Sequence, residues 1–416
     1  MPTTKIPTAR TIEETGVRRN LLEDLALKTL YLTGEMTLLE LAGQMALSLS
    51  VSEELFQRLR KDQFCQVTGM EKGVHRITTT SGGKTRALEL MSQNSYSGPA
   101  PVSLTDYVDR VRAQSVKNMK VTPKDLHRAF EGLVLDARTL DQLGTAVQSG
   151  RALFLYGPTG TGKTTIAETL TRLFDLDRVW LPHAVEVDGQ IITVYDSAIH
   201  QKLEQPKVKN PDQDARWVLC RRPRVIVGGE LTIEMLDLQF NRNTKFYTGP
   251  LQMKANNGLL IVDDFGRQRV SPEELLNRWV VPLDRRIDFL TLAGGKKIEI
   301  PFDLFVVFAT NLDPAKMVDE AFLRRIQTKI KVDFVSCEQF REIFRRACVE
   351  YNLEYDQAIV DELIRLIGME FKEPLRACYP RDILRQIQWS SQYLQKEPRL
   401  DRESVAQACR NYFLPA

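Results

Sequence analysis

Two glycines with four residues between them, Gly157 and Gly162, lead into Lys163 and Thr164 in the stretch "GPTGTGKTT". This spacing suits a polyphosphate. Glycines let backbone N–H groups curl around phosphate oxygens, a helix N-terminus adds its positive end, Lys163 offers a charge to the β and γ phosphates, and Thr164 offers a hydroxyl to magnesium. About a hundred residues on, "LLIVDDFG" (259–266) ends an apolar run in two adjacent acids. An acid at the end of a neighbouring strand holds the metal in phosphate-loop proteins, which assigns Asp263. The second acid, Asp264, either orients the attacking water and takes its proton or caps the turn into Phe265-Gly266. Asn311, closing "LFVVFATN", either holds that water through its amide or caps the turn into Pro314.

Such groups act together only if a sheet brings them to one edge. Residues 152–156, 259–262 and 305–309 read as buried strands of a parallel sheet, and the pattern from Lys163 onward reads as an amphipathic helix. A further helix in 319–334 carries Arg324 and Arg325 and runs into a strand. Its arginines are either solvated or lent to a neighbouring subunit. Residues 336–416 read as helical throughout, with Arg381 near the start of one helix and Arg385 a turn later. Residues 285–303 form two β-type runs joined by Gly294-Gly295, which predicts a two-residue hairpin.

Over residues 125–416 this set, in order and spacing, resembles the AAA+ ATPases. "GPTGTGKT" resembles Walker A, "LLIVDD" Walker B, "FATN" sensor 1, "AFLRRI" the arginine-finger helix and "YPRDILRQI" the sensor 2 helix. The resemblance implies ATP and Mg2+ as cofactors. It places nucleotide on Gly157, Pro158, Thr159, Gly160, Thr161, Gly162, Lys163, Thr164 and Thr165, with Thr164 and Asp263 on the metal and Asp264 and Asn311 on the water. It further implies that Arg325, with Arg324, acts in trans, that Arg381 reaches the γ-phosphate, and that "FEGLVLD" (130–136), Val134 within it, touches adenine. The hairpin before sensor 1 resembles that of the MoxR-chaperone branch, where it meets a client; the alternative is a hairpin that covers the sheet edge. The chain departs from most relatives in having Asp264 where they have Glu. The polar switch residue expected after the second core strand has one candidate in residues 178–196, His183.

The first hundred residues stand apart. Residues 22–48 read as two helices broken at Gly34, 50–63 as a third, and 65–91 as two short strands around Gly73, an order that resembles a winged helix. Twelve basic and eleven acidic side chains share residues 1–100, and the third helix mixes Arg58, Arg60 and Lys61 with Glu53, Glu54 and Asp62. This favours protein docking over DNA. Residues 92–124 begin as a linker and pass into a helix carrying Arg110, Arg112, Lys117 and Lys120.

Bulk composition is that of a globular chain. With 57 basic and 54 acidic residues among 416, no global field points to nucleic acid or membrane. The six cysteines form no CxxC pair, the histidines show no ligand spacing, and no stretch is apolar enough to span a membrane, so a cytoplasmic protein is expected. The expected architecture is an α/β three-layer core with a parallel sheet (125–335), a helical lid (336–416), a winged-helix-like α+β domain (1–95) and a linker with a basic helix (96–124). The expected function is ATP-driven remodelling of a protein client by a homo-oligomeric ring or helix, most simply a hexamer. The alternatives are a DNA-associated ATPase and an ATP-gated scaffold with slow hydrolysis.

Overall fold

The computed structural model describes residues 5–175, 177–204, 212–317 and 323–414. Five strands make one parallel sheet, in the spatial order Arg224–Val227, Leu259–Val262, Phe305–Thr310, Ala152–Tyr156 and Thr328–Lys331. The Leu259–Val262 and Phe305–Thr310 strands are buried at every residue, which their unbroken apolar runs require of central strands covered on both faces. Strand periodicity divides their side chains between two cores. Phe154, Leu260, Val262, Val306 and Phe308 meet Leu275, Leu276 and Trp279 of the helix Pro272–Arg285. Leu153, Leu155, Ile261 and Val307 meet the helices Pro123–Phe130, Ala137–Ser149 and Lys163–Leu170. Each such side chain contributes roughly 1.5–3 kcal/mol by leaving water, so this sandwich fixes the sheet edge to which the functional groups attach. The molecule is thus α/β, with a three-layer core.

The second core strand is not where the sequence places it. Residues Arg178–Pro182 pair antiparallel with Trp217–Arg221, and Ala184–Val187 and Gln190–Thr193 join a separate five-stranded sheet. The strand beside Leu259–Val262 is Arg224–Val227. It is an edge strand with exposed Arg224 and Ile226, so its apolar signal is weaker than that of "RVWLP".

The N-terminal region has the expected three helices, Arg19–Thr33, Leu38–Met45 and Leu49–Lys61, the first ending at Gly34 in a positive-φ conformation. The hairpin Cys65–Glu71 with Val74–Thr79 follows, and Met36–Thr37 adds a third strand. Residues 81–91, read above within the strand stretch, are instead helical in Ser81–Gln93, where the Thr80 hydroxyl accepts from the Gly83 amide as the N-cap. This region shares a core with Ala184 and Ile191 of the separate sheet. A buried ion pair, Arg216 with Asp214, adds two bonds from Arg216 Nη1 to the carbonyls of Thr15 and Pro101. In the segment after it, Arg110 and Arg112 lie on the helix Leu104–Ala113, whereas Lys117 sits in a 3-10 turn and Lys120 beyond it. Ser115 ends the helical run by bonding Asp303.

The hairpin Ile287–Thr291 with Lys297–Pro301 forms, but around three residues, not two. Leu292 N–H bonds the Lys296 carbonyl, and Gly295 takes φ +78°. A type I turn closed by a left-handed glycine gives this geometry. One face is buried, with Leu290, Leu292, Ile298 and Ile300 packed against Tyr107, Trp180 and Tyr247. The last region is helical, comprising Cys337–Glu350, Gln357–Arg365, Tyr379–Tyr393 and Arg402–Tyr412 around Phe340, Phe344, Leu363 and Ile383.

Candidate active site

Parallel register aligns the strand ends. Thr310 pairs with Tyr156 and Val262 with Phe308, so Gly157, Asp263 and Asn311 all emerge at the C-terminal edge of the sheet. Asp263 and Asn311 line a cleft of about 570 Å3 between the core and the helical region, whereas Gly157 and Pro158 are not among its lining residues.

The loop after Tyr156 is shaped by its glycines. A Cβ on Gly157 would lie 2.2 Å from the Val332 carbonyl oxygen, and one on Gly160 would lie 2.7 Å from Cys378 Sγ. Both glycines and Gly162 have positive φ. Gly162 caps the helix Lys163–Leu170 without a side-chain bond. Among the described residues the amides of Thr159 to Gly162 have no protein acceptor, which leaves a ring of donors for an anion. Lys163 Nζ rests 2.7 Å from the Pro158 carbonyl. Burial lowers its pKa below the ordinary amine value, while Asp264 and Asp263 pull the other way. Thr159 to Thr165 line the cleft.

Thr164 Oγ1, on the helix Lys163–Leu170, lies 3.0 Å from Asp263 Oδ1 at the end of the strand Leu259–Val262, so two oxygen ligands for a cation meet there. The turn behind them is fixed. Gln268 donates to the Asp263 carbonyl and accepts from Gly266 N–H, each at 2.7 Å. Phe265 N–H bonds the Ala309 carbonyl, and Thr310 Oγ1 donates to the Phe265 carbonyl at 2.6 Å. Asp264 has φ +48°, in the left-handed region. Its carboxylate takes no backbone N–H among the described residues and lines the cleft, so it is not the turn cap. Asn311 does not cap the following turn either. Asp313 does, accepting from Ala315 N–H at 3.1 Å. Asn311 Nδ2 instead points 3.3 Å from Thr159 Oγ1, while its Oδ1 is buried without a partner.

Val134 and its neighbours Gly132 to Asp136 line the cleft. Arg381 and Arg385 line it from the helical region, with Arg381 held on Glu350 at 3.0 Å. Three further residues escaped the sequence reading. Arg346 lines the cleft and donates to the carbonyls of Glu131 and Leu133, and Arg376 donates to the Thr159 carbonyl at 3.2 Å. Their signal was only the general basic character of the C-terminal region, where Arg346 lies on the helix Cys337–Glu350 and Arg376 in the loop before Tyr379–Tyr393. The third, Glu230, follows the edge strand Arg224–Val227, accepts from Gly228 N–H at 3.0 Å and does not line the cleft.

Not every expected residue reaches the cleft. His183 packs edge-on against Tyr195 in the separate layer and does not line it, because the strand it was taken to follow is not in the core sheet. Ala321 and Phe322 of "AFLRRI" lie outside the described residues. Arg324 is exposed and Arg325 bonds Asp284 at 2.8 Å, and neither lines the cleft of its own chain. The six cysteines are free, and the described residues hold no cluster of three or more metal-ligating side chains and no helix long and apolar enough to cross a membrane.

Residues 336–411 match a family model described as a domain of unknown function (DUF8689). No curated protein matches the chain. Among solved structures, the chain is similar to the RuvB Holliday junction branch migration motor of Thermotoga maritima at 15% identity, over 67% of this chain and 70% of that one, with a TM-score of 0.38. A mutant form of that protein gives 12% identity over 72% of each chain and a TM-score of 0.37. NtrX from Brucella abortus gives 10% identity over 65% of this chain and 55% of that one, with a TM-score of 0.38.

Proposed function

We propose that this chain is an ATP-hydrolysing AAA+ machine that works as a homo-oligomer, most simply a hexamer, in the cytoplasm to remodel or assemble a protein client. The observation that carries this reading is the 3.0 Å pairing of Thr164 with Asp263 beside a donor-lined glycine loop and Lys163. The residues fit the group. The free loop amides suit phosphate oxygens, the Thr164–Asp263 pair suits Mg2+, and the orphaned Asn311 Oδ1 suits a water. A bound magnesium supplies charge neutralisation on the phosphates. Asp264 then takes the proton of the attacking water, Asn311 orients it, and Arg381 meets the γ-phosphate once released from Glu350. Val134 and the residues around it receive the base. Substituting Lys163 by Ala removes a charge-assisted bond to phosphate and should lower ATP affinity by about tenfold or more in titration calorimetry. Normal affinity would remove the phosphate-loop assignment.

A protein client is favoured over DNA by charge. Arg58 is paired with Glu54 at 3.1 Å, and Arg76 of the hairpin with Glu35 and Glu71, so two of the cations that could meet phosphates are offset by neighbouring acids. The helix, strand, helix, helix, strand, strand order of residues 19–79 supports a winged-helix-like domain that docks protein, and its topology keeps the DNA-associated alternative in view. Duplex DNA that stimulates hydrolysis at low salt would select that alternative, and ATP binding without phosphate release would select a gated scaffold. In the hairpin Ile287–Pro301, Phe289 on the outer face is 43% exposed, which leaves that face for the client while the inner face is committed to the body.

A further inference from the structure

A phosphate loop that turns its N–H groups inward must turn carbonyls outward, and those carbonyls need partners. Two of them are met by one short segment of the helical region. Arg376 Nη1 donates to the Thr159 carbonyl at 3.2 Å, and Cys378 N–H donates to the Gly160 carbonyl at 3.1 Å. Cys378 Sγ fills the space a side chain at Gly160 would need. Arg376 is itself held on three sides. Its guanidinium lies 5.8 Å from the ring centroids of Phe334 and Tyr379, and its Nη2 pairs with Glu373 at 3.0 Å. Thr159, the residue it grips, carries the hydroxyl that faces the Asn311 amide.

We infer that Arg376 is a positioning residue that latches the helical region onto the phosphate loop and, through Thr159, sets Asn311. Arg376 does not line the cleft, so it acts on nucleotide only through the loop. With the latch made, the loop meets phosphate already ordered. With it broken, ordering is charged against binding, and affinity falls. The latch is also reciprocal: nucleotide that orders the loop strengthens the hold on the helical region by the same factor. Its chemistry selects guanidinium, because one planar fork reaches Thr159 and Glu373 together while stacking on two rings.

This inference rests on the nucleotide reading of the cleft, and its test separates the two. ATP affinity is measured by calorimetry for the full chain, for Arg376→Met, which keeps the apolar stem between the rings, and for Arg376→Lys, with the melting temperature and turnover at saturating ATP of each. Arg376→Met should bind ATP about tenfold more weakly and turn it over several-fold more slowly even when saturated, and Arg376→Lys should recover part of both. A purely structural arginine would lower the melting temperature and leave affinity unchanged, and unchanged affinity in a folded Arg376→Met protein overturns the latch. Absence of ATP binding by the unsubstituted chain sinks the nucleotide reading, and the latch with it.

Discussion

At Asp264 the backbone decides what the side chain can be. Its φ of +48° is a left-handed conformation that Asp and Asn adopt far more readily than longer residues. Gln268 and the Phe265–Ala309 and Thr310–Phe265 bonds hold the turn in that conformation. The Asp in place of the usual Glu is therefore matched to its turn. Replacement by Glu should cost about 1 kcal/mol of stability from the left-handed backbone and should not raise turnover, as melting and phosphate-release assays will register. A faster Asp264→Glu enzyme would show that reach, not backbone, limits the reaction. Asp264→Asn, which the turn tolerates, should bind ATP normally and hydrolyse it much more slowly. The loop and the acids were legible in the sequence because phosphate geometry dictates their spacing. Arg346 and Arg376 were not, because they meet backbone carbonyls far away in the chain, and a carbonyl has no sequence signature.

Among the elements, the central strands and the helix after the glycine loop could be read directly, since a run buried on both faces leaves a continuous apolar signal. The second core strand was lost at an edge, where alternating exposure dilutes that signal. Its place in the sequence was taken by an antiparallel layer with a chemistry of its own. There His183 packs on Tyr195, and Tyr195 stacks on His200, whose Nδ1 accepts from Asp196 N–H while Nε2 faces the Lys254 carbonyl. Burial lowers the pKa of both histidines, that of His183 to about 4. The unfolded chain thus binds protons near pH 6.5 that the fold refuses, so the stabilisation is complete above about 6.5 and lost as pH falls toward 4. Melting temperatures should drop across that window, and His183→Phe should flatten the drop. An equally steep drop in the variant would place the acid sensitivity elsewhere.

For the whole molecule, the proposed ATP hydrolysis raises the question of how a cleft that holds Lys163, Asp263 and Asn311 would obtain an arginine for transition-state charge. Arg381 and Arg385 come from the same chain, whereas Arg325 lies outside its own cleft, on Asp284. That pair is part-exposed, with side chains 23% and 45% accessible, so by itself it is worth at most about 1 kcal/mol. If Arg325 serves the adjacent subunit, Arg325→Ala should keep ATP affinity and lose most turnover. Mixed with Lys163→Ala chains, it should recover part of that turnover, because some interfaces then join an intact Lys163 cleft to an intact Arg325. Mixing in varied ratios with phosphate release as the readout tests this, and a mixture no more active than its separate components would remove Arg325 from the neighbouring site.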